Sequence, residues 1–155
     1  MRRRNAEARD RAHHDDVLEV AGEFGFSLAS QHYLAGAALA EAPGAERDAA
    51  AELELAIAMY DLGPGSDGDH SFGCAARART TLATTRLRAG QLDAVPPAIA
   101  PVLALPRAQR IDSIAAGLTQ LRSDLARPRY RGAAGAGELT EQIRLFLRET
   151  AVGRR

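Results

Sequence analysis

The sequence predicts an all-α fold of stacked antiparallel helical hairpins, with about seven helices. Three observations predict it. Alanine, leucine, arginine and glutamate, all good helix formers, are abundant, while β-branched and aromatic residues are sparse. Apolar residues recur at helical intervals, and no alternating run is long enough for a sheet. Short Gly- and Pro-bearing breaks separate these segments, and no long heptad run marks a coiled coil.

A first helix is expected over about Ala6 to Val20, with Val17, Leu18 and Ala21 on its apolar side. Gly22 and Gly25 break it, and Ser27 is placed to cap the next helix. The second helix covers about Leu28 to Glu41 and carries Leu28, Tyr33 and Leu39; "APG" at 42–44 turns the chain. A third runs from about Ala45 to Leu62, with Leu53, Ile57 and Tyr60 at helical spacing. "GPGSDGDHS", Gly63 to Ser71, reads as a turn between packed helices, being short for a domain linker. The fourth helix spans about Gly73 to Ala89, and Gly90 ends it.

The stretch "RAGQLDAVPPAIAPVLALP" then sets prolines against a helical apolar series, Leu92, Val95, Ile99, Val102, Leu103 and Leu105. Pro96 and Pro97 suit a first helical turn, where backbone N–H groups have no internal partner. Because proline disfavours α geometry in the residue before it, the helix is expected to begin near Pro97. Pro101 predicts a kink or a shortened helix, and Pro106 an end. A sixth helix spans about Ala108 to Ala126, with Ile111, Ile114, Leu118, Leu121 and Leu125 on one face. "RPRYRGAAGAG" is a loop with Tyr130 folded inward as an anchor. A last helix covers about Glu138 to Ala151, with Leu139, Ile143 and Phe146 inward.

At 155 residues the chain predicts one domain. Residues 1–12 read as a basic helix start or tail, 13–152 as the helical domain and 153–155 as a tail. A net charge of zero argues against whole-chain attraction to nucleic acid or anionic membrane. The single cysteine, Cys74, forms no internal disulfide, which suits a reducing cytoplasm. The basic start lacks the apolar core of a secretory signal, and no apolar run approaches a membrane span. The expectation is a cytoplasmic protein without a membrane partner. The composition, rich in Ala, Gly and Arg and without lysine, looks like high-GC bacterial coding.

No catalytic signature is found: no Gly-rich phosphate loop, no G-x-S-x-G, no H-E-x-x-H and no C-x-x-C. The expectation is a non-enzymatic chain without cofactor or metal. "HHDD" at 13–16 suggests metal ligands, but neighbouring helical residues diverge by about 100° and Val17 and Leu18 hold the i+4 positions, so solvated surface is the better reading. Cys74 sits in a first helical turn, where a thiol pKa can fall, yet a small residue buried against Phe72 is the simpler role. Arg127, Arg129 and Arg131 flank Tyr130 and read as surface loop rather than a nucleic-acid contact.

"TLATTRLRAGQLDAVPPAIAPVLALP", from Thr81, resembles the tetratricopeptide (TPR) repeat, a helix–turn–helix unit of roughly 34 residues. Leu82 and Ala83 take the place of the Leu-Gly pair where the two helices cross, Gly90 sits at the turn, and Ile99, Val102 and Leu103 fall on the second helix. A weaker copy, "YLAGAALAEAPGAERDAAAELELAIAMYDLGP", aligns Leu34 and Ala35 with that pair but lacks the aligned turn glycine. More widely, "EFGFSLASQHYLAGAAL", "AMYDLGP", "HSFGCAARARTTLATTRLRAGQLDA", "APVLALPRAQRI", "ARPRYRG" and "ELTEQIRLFLRETA" resemble the TPR-like C-terminal part of bacterial XRE-type helix-turn-helix transcriptional regulators, over about residues 12–151.

That resemblance implies a partner-facing role: dimerisation, or sensing of a protein or peptide partner. A DNA-reading module needs several short helices, and residues 1–20 supply one at most, so DNA contact is expected only through a helix-turn-helix domain this sequence does not contain. The alternative is a stand-alone TPR-like scaffold unrelated to transcription. In TPR proteins the first helix of each hairpin lines a concave groove. Alignment on Leu82 places Arg77, Thr80, Thr84, Leu87 and Arg88 there, and alignment on Leu34 adds His32 and Leu39. Such a set suits an acidic or peptide ligand.

Overall fold

The computed structural model describes residues 27–62 and 72–152. The helix expected over Ala6–Val20 and the turn Gly63–Ser71 lie outside the described residues. Among the described residues there are six α-helices: α1 (Leu28–Ala40), α2 (Glu46–Asp61), α3 (Phe72–Arg88), α4 (Val95–Leu103), α5 (Asp112–Leu125) and α6 (Ala136–Val152). Three single 3₁₀ turns, Leu92–Ala94, Arg107–Gln109 and Pro128–Tyr130, punctuate the second half. There is no strand among the described residues, and none of their helices is long and apolar enough to cross a membrane.

Local chemistry sets the helix ends. The Ser27 hydroxyl accepts from the Ser30 amide at 3.2 Å and so caps α1. Glu46 and Asp48 sit in the first turn of α2, where negative charge offsets the helix dipole. At the end of α3 the amides of Gly90 and Gln91 turn back to the carbonyls of Leu87 and Arg86 at 3.0 and 2.9 Å. That double closure needs a left-handed residue, and Gly90 supplies it with φ 79°. Gly44, with φ 83°, is the left-handed residue of the α1–α2 turn, where the Ala45 amide donates to the Ala42 carbonyl at 3.2 Å, so the first turn does use a glycine, although out of the expected register.

Helix α4 begins at Val95, two residues before the expected start at Pro97. The preceding 3₁₀ turn delivers Val95 already helical, at φ −74° and ψ −49°, and its side chain is fully buried. Tertiary burial thereby overrides the preference of a pre-proline residue for extended backbone. Pro96, Pro97 and Pro101 lie on the exposed side, while Val95, Ala98, Ile99 and Val102 form the buried side. Pro101 leaves the Pro97 carbonyl without its amide, and the helix stops at nine residues.

The sixth predicted helix is corrected at its start. Arg107–Gln109 form a 3₁₀ turn, Ile111 is extended (φ −80°, ψ 162°), and α5 begins only at Asp112. Ile111 is therefore 40% exposed and drops out of the apolar face, which consists of Ile114, Leu118, Leu121 and Leu125. Arg110 explains the interruption. Its guanidinium donates to the Leu105 carbonyl at 2.9 Å and to Glu149 at 2.9 Å, and stacks 4.2 Å from the centre of the Phe146 ring. These contacts pin the connection to α6 before α5 can start.

Helix α3 is central. It packs on α1, α2, α4 and α5, while α5 also packs on α6 and α4 touches α6. Leu53, Leu82, Ala83, Leu87, Ile99, Ile114, Leu118, Leu139, Ile143 and Phe146 join in one apolar core. Tyr130 is buried at 6% exposure, and its hydroxyl donates to the Leu87 carbonyl. The anchor expected of this loop residue thus ties the α5–α6 connection to the end of α3.

Two glycines stand where helices approach closely. A Cβ on Gly36 would stand 2.7 Å from Leu53 Cγ, and one on Gly117 would stand 2.8 Å from Thr80 Cγ2. The α1–α2 crossing therefore falls at Gly36 and not at the expected Leu34–Ala35, and Leu34 is 48% exposed. The buried residues of α1 are Ala29, Tyr33 and Gly36, a face turned by one residue, or about 100°.

Candidate binding groove

Helices α1, α3 and α5 lie in a row, and a polar groove of ≈ 250 Å³ opens along them. Its floor is α3, through Arg77, Thr80, Thr81, Thr84, Thr85 and Arg88. Tyr33, Ala40 and Glu41 form the α1 wall; Ser113, Gly117 and Gln120 form the α5 wall. The absence of a side chain at Gly117 lets α5 approach Thr80 closely enough to make that wall.

Three of the four threonines are polar without being free donors. Thr80, Thr84 and Thr85 donate to the carbonyls of Ala76, Thr80 and Thr81 at 2.8, 3.1 and 2.9 Å. Their hydroxyl oxygens keep lone-pair capacity, although Thr80 and Thr85 are themselves buried, at 4% and 2% exposure. The two arginines differ. Arg88 donates to the Ala40 carbonyl at 3.1 Å and lies 3.8 Å from Glu41, so it closes the C-terminal end of α1, where carbonyls lack amide partners. Arg77 is exposed and lies over the Tyr33 ring, 5.4 Å from its centre, with no carboxylate partner among the described residues. The groove thus offers one uncommitted planar cation, hydroxyl and amide groups beside it, and an opposite end where Arg88 and Glu41 offset each other.

Of the residues expected in a groove, Arg77, Thr80, Thr84 and Arg88 line this one. Leu87 does not: it is fully buried in the core, and only its carbonyl is engaged, by Tyr130 and Gly90. His32 faces elsewhere and meets Glu52 of α2 at 2.6 Å. Leu39 is half-buried and also stands outside the lining. Both α1 assignments are displaced by one residue, since Tyr33 and Ala40 occupy the places expected for His32 and Leu39. Aligning the close-packed Gly36 with Ala83, in place of Leu34–Ala35 with Leu82–Ala83, would have found them. Ser113 and Gln120 had no signal in the sequence, because α5 carries no recognisable copy of the repeat.

The remaining candidates are distributed differently. His13, His14, Asp15 and Asp16 lie outside the described residues. Among the described residues no three of His, Cys, Asp and Glu converge as metal ligands would. Cys74 occupies the first turn of α3 but is only half-buried, and Phe72 is 42% exposed, so the two do not form the buried pair expected. Arg127 pairs with the buried Asp124 at 2.7 Å, and Arg129 stacks on Tyr130 at 4.8 Å.

Ion pairs elsewhere brace the helices. Arg79 and Arg86 of α3 each reach an acid of α2, Asp61 and Glu54, at 2.6 Å. On α6 the hydrogen bond from Arg144 holds the Glu141 carboxyl below its ordinary pKa, and the bond from Arg110 does the same for Glu149. Comparison with known proteins finds no match to this chain among family models, curated proteins or solved structures.

Proposed function

We propose that this chain is a non-catalytic interaction module of TPR-like build, whose groove along α1, α3 and α5 takes up an extended protein or peptide segment carrying an acidic side chain. The observation that carries the reading is Arg77, a guanidinium at the groove with an aromatic ring beneath it and no carboxylate partner among the described residues. Guanidinium recognises carboxylate through paired, charge-assisted hydrogen bonds. The distance from Arg77 to Arg88 along α3 is about 16 Å at helical rise, which is about five residues of extended chain.

The TPR-like reading is supported by three features. The first helices of successive hairpins stand side by side; a small residue marks the α1–α2 crossing; a left-handed glycine lies in each of the first two hairpin turns. On the resemblance to helix-turn-helix regulators, the partner bound in the groove shifts the association of two copies of the chain, and so acts as a regulatory signal. The alternative scaffold role uses the same groove without that shift.

The test is calorimetric titration of the whole chain with a pentapeptide bearing a central glutamate, beside its glutamine twin. Preference for the glutamate peptide, abolished by Arg77→Ala, is the expected result. Equal binding of the two peptides, or binding untouched by Arg77→Ala, contradicts it. Sedimentation with and without the glutamate peptide separates the regulator from the plain scaffold.

A further inference from the structure

A second cleft, of ≈ 530 Å³, runs along α2 and shares no lining residue with the groove. Arg47, Ala50, Ala51 and Glu54 form its α2 wall; Ala89 and Ala94, from the end of α3 and the 3₁₀ turn after it, stand opposite. These four alanines leave room for another element to lie close. The charges of the cleft balance, Glu46 and Glu54 against Arg47 and Arg86. Arg86 is committed, to Glu54 at 2.6 Å and to the Ala94 carbonyl at 3.3 Å. Arg47 is exposed and has no carboxylate partner among the described residues. Glu54 accepts from Arg86 through Oε1, and a carboxylate has lone pairs for more than one guanidinium.

The spacing on α2 makes this wall complementary to itself. Arg47 and Glu54 are seven residues apart and so lie on one line of the helix, turned by only about 20°. Ala50 and Ala51 lie midway between them. Where two copies of α2 pack antiparallel with Ala50–Ala51 at the centre, Arg47 of each copy stands level with Glu54 of the other. Small side chains then meet at the crossing, and one twofold axis makes both ion pairs at once. A register one turn along sets Arg47 against Ala58 and Glu54 against Ala51, and parallel packing sets like charge against like, so charge selects the first arrangement. A cleft with balanced charge gives no net attraction for a highly charged partner such as nucleic acid; it fits a partner whose charges are placed as its own are.

We propose that two copies of this chain associate through α2 in this cleft, antiparallel about a twofold axis at Ala50–Ala51, with Arg47 of each copy joining Glu54 of the other. The contact supplies the surface for the association of two copies invoked in the regulatory reading. It does not depend on occupancy of the groove, and its test uses no peptide, so it stands or falls apart from the groove assignment.

Sedimentation equilibrium of the whole chain tests it. The parent chain should show a dimer fraction that rises with concentration. Arg47→Glu sets acid against acid at both pairs and Glu54→Arg sets base against base, and each variant alone should associate about tenfold more weakly or worse. Mixed in equal amounts, the two variants restore both pairs and should form a heterodimer of about the parent's affinity. Ala51→Gln, an exposed position given another good helix former, should also weaken association by holding the helices apart, and it leaves the bond from Arg86 to Glu54 in place. A parent chain that stays monomeric at millimolar concentration overturns the proposal. So does a dimer that both charge reversals leave unchanged, which puts the association on another face, and so does a mixture that associates no better than either variant alone.

Discussion

Arg77 of α3 lies over the ring of Tyr33 of α1, 5.4 Å from its centre, at the groove between the two helices. The contact holds a cation in place without neutralising it. Arg77→Ala is therefore expected to lower affinity for the acidic peptide by about tenfold or more, the scale of a charged hydrogen bond. Stability should fall by under about 1 kcal/mol, since an exposed cation–π contact contributes no more. Calorimetric titration beside thermal unfolding checks both.

Gly36 has no room for a side chain. A methyl group would meet Leu53 Cγ at 2.7 Å and the Ala49 carbonyl at 3.1 Å. Gly36→Ala should destabilise the chain by about 1–3 kcal/mol through overpacking, despite alanine's better helix propensity. Gly137 has open space around it, and Gly137→Ala should be neutral or stabilising by comparison. Urea unfolding of the two variants reads the difference.

The buried bond from the Tyr130 hydroxyl to the Leu87 carbonyl ties a loop to the core. Tyr130→Phe leaves that carbonyl with the Gly90 amide as a partner. The expected cost is therefore near about 1 kcal/mol, the net worth of one hydrogen bond, and not the larger penalty of an orphaned acceptor. Faster hydrogen exchange over residues 127–135 with the core unchanged would locate the loss.

Glu149 is held below its ordinary pKa of 4.5 by the hydrogen bond from Arg110. A carboxyl depressed by folding contributes stability that is present above its unfolded pKa and is lost as pH falls through its folded value. Stability measured from pH 7 down through the region below 4.5 should therefore decline less steeply in Glu149→Gln than in the parent chain. The effect is modest, because the group is at the surface.

The helices are legible in the sequence because their signals are local. Ser27, Gly90 and the spacing of Leu139, Ile143 and Phe146 each act within a turn or two of chain. Three features escape for a shared reason, that the deciding contact comes from elsewhere in the chain. Val95 starts α4 two residues early because the core buries it. Ile111 leaves the apolar face because Arg110 is held by Glu149 and Phe146 of α6. The groove on α1 falls one residue out of phase with its expected position. Leu34–Ala35 resembles Leu82–Ala83 in the sequence, but the helix turns on Gly36, whose importance lies in the distance to Leu53.

The groove assignment is tested most directly by chemical-shift mapping of the labelled chain during titration with the glutamate pentapeptide. Perturbation is expected to concentrate at Tyr33, Arg77, Thr81, Thr84, Ser113 and Gln120, on three helices at once, and to vanish with the glutamine peptide. Shifts gathered on α6 or the outer flank of α2, or no shifts at millimolar peptide, would rule the groove out as the binding site.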